Sequence, residues 1–376
     1  MRRRPLIALA FVVFAAAKPA PPTAILTQAS EDVTIDERGS TYPSRAYVLR
    51  VLGAGDRVNA PADGHAAFVC SSDRLVSVPA GGTARVTEEV CAAGAALPAG
   101  TYQSLVPRGG RLRTVDGALV LQRATRRSPA PGTAILLSPR KTDVLSARPP
   151  VEWVPVAGAA EYELSVRGDV KFRATLTCPD AASGRCRAAY PASQPELPPG
   201  GIVSLRIAPR RSDGPHLGGG EDEVLWVRRL PDAEAAPILE GVKLIEQAPA
   251  DGATRSLLLA NLYAGHRLYA DAILHYRTAA AELRGGEIDA ALGDAYLATG
   301  LLEQAEDAYE DAVRDPAMLP TAAGYFGLGH VFYARGEFRQ AGEQFDQAAR
   351  IYEGEGFKNH GAAARVAAAQ AWERAD

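Results

Sequence analysis

In the last third of the chain the apolar positions recur with one spacing, three times over. Leu259-Ala260, Tyr263, Ala272, Tyr276 and Ala279 form the first copy. Leu292-Gly293, Tyr296, Ala305, Tyr309 and Ala312 form the second, and Leu328-Gly329, Phe332, Ala341, Phe345 and Ala348 the third. Counted from the leading Leu, the offsets +1, +4, +13, +17 and +20 are shared by all three, and the copies lie 33 and 36 residues apart. Residues at i, i+1 and i+4 line one stripe of a helix, and those at +13, +17 and +20 line the facing stripe of a second. Each copy therefore predicts a helical hairpin, with small residues where the helices approach and aromatic rings filling the space between layers. Gly300 and Gly336 suit the tight break inside the second and third hairpins, whereas the first has Arg267 at that place. Stop signals for the second helices are Gly285-Gly286, Asp315-Pro316, and Gly354 or Gly356.

These spacings are those of the tetratricopeptide (TPR) repeat. An Ala-rich segment from about Phe357 to Arg374, carrying Ala364, Ala368, Ala371 and Trp372, is the expected capping helix over the last apolar face.

Upstream the pattern changes to short alternating apolar runs broken by Gly, Pro and Asp, which predicts strands. Ala46–Leu52, Ala66–Cys70 and Arg74–Val78 are the clearest in the first region, 23–127. Leu52-Gly-Ala-Gly-Asp56-Arg-Val58, then Asp63-Gly64-His-Ala-Ala-Phe-Val69, then Ser72–Pro79 resembles the FecR-type periplasmic domain. That resemblance implies a compact β domain of the cell envelope. Few residues precede the apolar run near Met1, which leaves no room for the cytoplasmic segment of a FecR-type signalling regulator. In the second region, 133–230, Ser138-Pro139, Arg148–Ala159 and Tyr162–Val166 resemble the opening strands of a fibronectin type III or Ig-like sandwich. Trp153 would be its core tryptophan, with Tyr162, Leu164 and Val166 alternating on the next strand. Ile202–Ala208 and Val224–Arg228 are expected to continue and close the sheet, with an exposed loop over Arg210–Asp222. The expected fold class is multidomain β + α: a FecR-like β domain, an Ig-like β-sandwich, a linker with a short helix at 231–252, and a TPR α-solenoid at 253–376.

Residues 1–20 read as a signal peptide: Arg2-Arg3-Arg4, an apolar run from Leu6 to Ala17, then small residues. The run falls short of the roughly 20 residues a spanning helix needs, and an uncleaved anchor is the alternative. A periplasmic or secreted location would allow the four cysteines to form disulfides. Cys70 with Cys91 and Cys178 with Cys186 are the economical local pairs among three connectivities. Net charge is −3, but from Ala253 onward 11 Lys and Arg stand against 18 Asp and Glu. A basic cluster (Arg108, Arg111, Arg113, Arg123, Arg126, Arg127) closes the first β region, so binding of an anionic envelope polymer through the β half is a second reading.

No catalytic set stands out. His65, His216, His266, His275, His330 and His360 are scattered outside any metal motif, Gly218-Gly219-Gly220 lacks a following Lys-Ser/Thr, and Gly-x-Ser-x-Gly is absent. No enzyme, metal or cofactor is expected, and nothing points to nucleic acid. What remains is recognition. On each first helix the residues at −2, +2 and +5 share a face distinct from the packing stripe: Leu257, Asn261, Ala264; Ala290, Asp294, Leu297; Phe326, His330, Tyr333. TPR arrays hold an extended peptide or partner helix in that hollow. This face lacks the basic residues of a carboxylate clamp, so an apolar protein segment with a basic or amide group near Asp294 is the expected partner. The alternative is that the face packs on the linker helix or on a β domain. The expected function is a non-enzymatic protein–protein interaction scaffold.

Overall fold

The computed structural model of the protein describes residues 23–30, 33–36, 44–45, 51–99, 101, 133–179, 181, 184–210, 225–283, 285–314 and 321–375. The signal-like segment, the basic cluster, part of the Ala46–Leu52 run, most of the Arg210–Asp222 loop and the Asp315-Pro316 stop lie outside them. Strands occupy the first part of the chain and helices the last, an arrangement of β sheets followed by an α-solenoid.

The first β region contains β1 (Ala24–Ala29), β2 (Thr34–Asp36), β3 (Ser44–Arg45), β4 (Val51–Leu52), β5 (Arg57–Asn59), β6 (Ala66–Cys70), β7 (Arg74–Val78), β8 (Thr83–Arg85), α1 (Glu88–Ala93) and β9 (Ala95–Ala96). They form two sheets, ordered β4-β1-β6-β7-β9 and β3-β2-β5-β8. The central strand β6 is buried at every position, and the period of two explains why. Ala66, Phe68 and Cys70 point into the region's own core with Leu26, Val58 and Val78. Ala67 and Val69, with Ile25 and Leu75, point the other way into a core shared with the helices. A sheet covered on both faces reads as a continuous apolar run rather than a clean alternation. The Cys70–Cys91 disulfide ties β6 to α1, with Cα atoms 5.8 Å apart.

The second β region is a two-sheet sandwich. Its strands are β10 (Ile135–Ser138), β11 (Thr142–Val144), β12 (Val151–Val154), β13 (Glu161–Gly168), β14 (Phe172–Thr177), β15 (Cys186–Ala188), β16 (Ile202–Arg210) and β17 (Trp226–Arg229). The sheets run β10-β12-β15 and β11-β17-β16-β13-β14, with β11 parallel to β17. Trp153 is fully enclosed against Tyr162, ring centroids 5.2 Å apart, among Leu164, Val166 and Val227. Cys178 and Cys186 are bonded to each other.

The stretch read as a linker is mostly α2 (Asp232–Gln247), far longer than a short docking helix. Pro237 removes one backbone donor inside it, yet Ile238 and Ile245 are buried, and Gly241 lets the Leu262 side chain approach. Burial of that apolar stripe outweighs the proline. The three hairpins follow: α3 (Gly252–Gly265) with α4 (Tyr269–Glu282), α5 (Gly286–Thr299) with α6 (Leu302–Arg314), and α7 (Ala322–Arg335) with α8 (Phe338–Gly354). α9 (Lys358–Ala375) closes the stack, its Trp372 indole lying against Gly342 and donating to Asp346 at 3.0 Å.

The breaks within the hairpins obey one rule by two means. Gly300 and Gly336 adopt φ of 79°, a left-handed conformation that costs glycine nothing. Arg267 adopts φ of 62° at the matching place in the first hairpin. There the sandwich holds the turn: the Arg267 carbonyl accepts from Asp143 N at 3.2 Å and from Thr142 Oγ1 at 3.0 Å. The Arg267 guanidinium lies over the Trp226 ring.

Candidate functional site

The hollow side of the solenoid is set by how each hairpin closes. The +2 residue of every first helix meets the +17 aromatic of its own second helix, 15 residues on. Tyr276 donates its hydroxyl to Asn261 Oδ1 at 2.9 Å, and Tyr309 donates to Asp294 Oδ1 at 2.7 Å. In the third hairpin Phe345 has no hydroxyl, and it packs edge-on against the His330 ring at 4.9 Å. The polar row Asn261, Asp294, His330 is therefore part of the hairpin packing, which corrects the expectation of a face distinct from the packing stripe. Antiparallel closure brings +17 opposite +2, a relation the single-helix wheel does not contain.

The nine residues of the expected groove differ in what they leave open. Leu257 is wholly buried, in the core shared with Ile25, Val69 and Leu75 of the first sheet. Beside it, the buried Thr254 donates to Gln28 Oε1 of β1 at 3.3 Å. Asn261 is buried, and its Nδ2 donates to the Leu257 carbonyl at 3.0 Å. Of the first repeat's groove residues, Leu257 thus packs with a β domain, the alternative named for it, and Asn261 is spent within its own hairpin. Ala290, Phe326 and His330 are buried as well, while Ala264, Asp294, Leu297 and Tyr333 are half-buried. The accessible remainder centres on Asp294 and Leu297 of α5 and Tyr333 of α7.

The sandwich grips the array at helix ends rather than in the hollow. The buried Arg140 donates from Nε to the Thr299 carbonyl at 2.8 Å, satisfying the end of α5. Thr142 Oγ1 accepts from Tyr269 N at 2.8 Å, supplying the first turn of α4 with the cap that Leu268 lacks. Glu152 pairs with Arg277 of α4 at 3.5 Å. A cleft of about 150 Å³ remains between the sandwich and the first hairpin, lined by Pro139, Pro150, Tyr263, Asp271 and Leu274 among others.

Electrostatics single out residues the spacing argument missed. Glu287 lies two turns before Asp294 on α5 and is half-buried. Loss of hydration, reinforced by the charges of Glu355 and Asp294, pushes its carboxyl up to about 7. Asp294 is raised to about 6 by burial, against the pull of the Tyr309 hydroxyl. Burial lowers His330 to about 4, so its ring is neutral at physiological pH. Tyr352, near the end of α8, is raised by burial and then by Glu287, Asp294 and Glu355. The sequence signal for Glu287 was its i, i+7 relation to Asp294; nothing in the sequence placed Tyr352 beside them.

Among the described residues no helix is long and apolar enough to cross a membrane. The basic cluster behind the envelope-polymer reading lies outside them, and nothing within them supports that reading.

No protein-family model matches the sequence, and no curated protein matches it. Several solved structures resemble part of the chain, among them three of MamA. A crystal structure of MamA matches at 20% identity and a TM-score of 0.27, a second of MamA protein at 21% and 0.28, and MamA MSR-1 C2 at 19% and 0.26. Each match covers 38% of this chain and 92%, 83% and 92% of the other, respectively. At TM-scores of this size the likeness establishes neither fold nor function; the solenoid stands on its own repeats and helices.

Proposed function

We propose that this chain is an extracytoplasmic, non-enzymatic scaffold that holds an extended peptide or partner helix against the hollow of its second and third TPR repeats. The observation that carries this reading is that Asp294, Leu297 and Tyr333 keep part of their surface open, Tyr333 beside Phe338 and Arg374, whereas Leu257 and Asn261 of the first repeat are buried. A single-repeat hollow would offer little surface. Two stacked repeats and a closing helix offer a continuous one.

The β regions then serve as a rigid platform. Arg140 and Thr142 fix the sandwich to the turns of the first two hairpins, Glu152 pairs with α4, and the first sheet shares a core with α3. The FecR-like reading of 23–127 and the fibronectin type III reading of 133–230 belong to this proposal, as do the domain limits and the signal peptide at 1–20. Two disulfides fit an oxidising, extracytoplasmic compartment.

A pull-down with the wild type and with an Asp294→Arg, Tyr333→Ala variant tests the groove. Loss of partner recovery in the variant is expected. Equal recovery from both would remove the hollow as the binding surface.

A further inference from the structure

We propose that the cleft between the sandwich and the first hairpin binds a small zwitterion with an apolar body, of the class of aliphatic α-amino acids, its ammonium at Asp271 and its carboxylate at Arg187. The site lies apart from the TPR hollow and does not depend on the groove reading.

Both charged residues line the cleft, and they reach it from different parts of the chain: Asp271 from the first turn of α4, Arg187 from β15 of the sandwich. Asp271 is half-buried and Arg187 exposed, and neither side chain forms a hydrogen bond or ion pair with any described residue, the other included. The nearby partners are already engaged. Glu152, the second acid of the cleft, pairs with Arg185 at 3.1 Å and with Arg277 at 3.5 Å. At the start of α4 the amides of Tyr269 and Ala270 donate to Thr142 Oγ1, at 2.8 and 3.4 Å. Burial raises the Asp271 carboxyl to about 6, so a cation beside it would replace hydration that the cleft withholds.

Size and lining narrow the ligand. The volume of about 150 Å³ has room for about ten water-sized spheres, well under the roughly 300–1,000 Å³ of a pocket for drug-sized molecules. An amino acid fits such a space, and a helix or an extended segment does not. The other walls are largely apolar: Pro139 and Pro149 are buried, Tyr263 is half-buried, and Leu274 is 42% exposed. An aliphatic side chain laid on them takes apolar surface out of water on both partners. Charge then decides among small molecules. A purely apolar one leaves Asp271 and Arg187 without partners, a cation alone meets Arg187, and an anion alone meets Asp271. A molecule carrying both charges pairs with each, an ammonium donating to the carboxylate and a carboxylate accepting from the guanidinium.

Isothermal titration calorimetry on the full chain uses L-leucine as the probe. Isocaproate lacks its ammonium, isoamylamine lacks its carboxylate, and leucyl-leucine outgrows the cleft. Saturable binding of leucine is expected, with isocaproate and isoamylamine each weaker about tenfold or more. Asp271→Asn should weaken leucine by a similar factor yet leave isocaproate unchanged, and Arg187→Gln should do the same for isoamylamine. Each variant removes the partner of the very group that the analogue lacks, so the two losses should not add. Should a variant fail to fold, the two analogues on the wild type decide alone. Absence of leucine binding up to the millimolar range, or equal binding of either analogue, would overturn the proposal. So would tighter binding of leucyl-leucine, which would assign the cleft to a peptide. Leucine binding that neither variant weakens would lie elsewhere on the chain and overturn the site.

Discussion

Tyr309 donates its hydroxyl to Asp294 at 2.7 Å across the second hairpin, and this one bond joins the packing of the solenoid to the electrostatics of its hollow. The ring is wholly buried, and the carboxylate is half-open. Tyr309→Phe keeps the ring but strands a desolvated carboxylate. A loss of about 1–2 kcal/mol of unfolding free energy is expected, measured by urea denaturation. Combined with Asp294→Ala the two losses should fall short of additive, since both remove the same bond. Full additivity would show that the bond contributes nothing.

The Tyr309 ring is also clamped between two glycines. A Cβ at Gly293 of its own hairpin, or at Gly327 of the next, would overlap the ring carbons. Pinned by Asp294, the ring has little freedom to move aside. Gly327→Ala should therefore destabilise by about 1–3 kcal/mol through overpacking, despite the roughly 1 kcal/mol that alanine gains in a helix. Gly265→Ala at the end of α3 meets open space and serves as the control, neutral or slightly stabilising. Thermal unfolding of the two variants separates close approach from mere helix propensity.

The hairpins were legible in the sequence because each is held by local, repeated contacts: +1 against +17 is Gly293 against Tyr309 and Gly329 against Phe345. The strands of the sandwich core were legible for a similar reason, since Trp153, Tyr162, Leu164 and Val166 face one interior. What stayed hidden depends on distant parts of the chain meeting. Leu257 looked like a groove residue because nothing in its surroundings in sequence reveals that it shares a core with residues of the first β sheet. Asn261 looked exposed because its partner lies on the second helix.

Thr142 caps a helix that belongs to another part of the chain. Its Oγ1 accepts from Tyr269 N and donates to the Arg267 carbonyl, at 2.8 and 3.0 Å, and the side chain is wholly buried. Thr142→Val preserves shape and removes both bonds. A loss of about 1–2 kcal/mol is expected. Amide hydrogen exchange should quicken in the first turn of α4 and at the Arg267 turn, while the third hairpin keeps its protection. Uniform quickening across the array would instead mean that the sandwich and solenoid unfold as one unit.

Acid groups in the hollow make stability depend on pH with a definite sign. Glu287 at about 7 and Asp294 at about 6 hold their protons more tightly in the fold than in the unfolded chain, because burial disfavours their charged forms. Their contribution is complete below the ordinary carboxylate range and is lost as pH rises through 6 and 7. His330 acts oppositely: held neutral by burial at about 4, it supports the fold above its ordinary value near 6.5 and withdraws that support as pH falls toward 4. Urea midpoints of the wild type and Glu287→Gln/Asp294→Asn at pH 6.5 and 8 isolate the carboxylates, since His330 is common to both proteins and its contribution cancels in the difference. The wild type should lose stability relative to Glu287→Gln/Asp294→Asn over that interval. Parallel curves for the two proteins would mean that these carboxyls titrate as if in water.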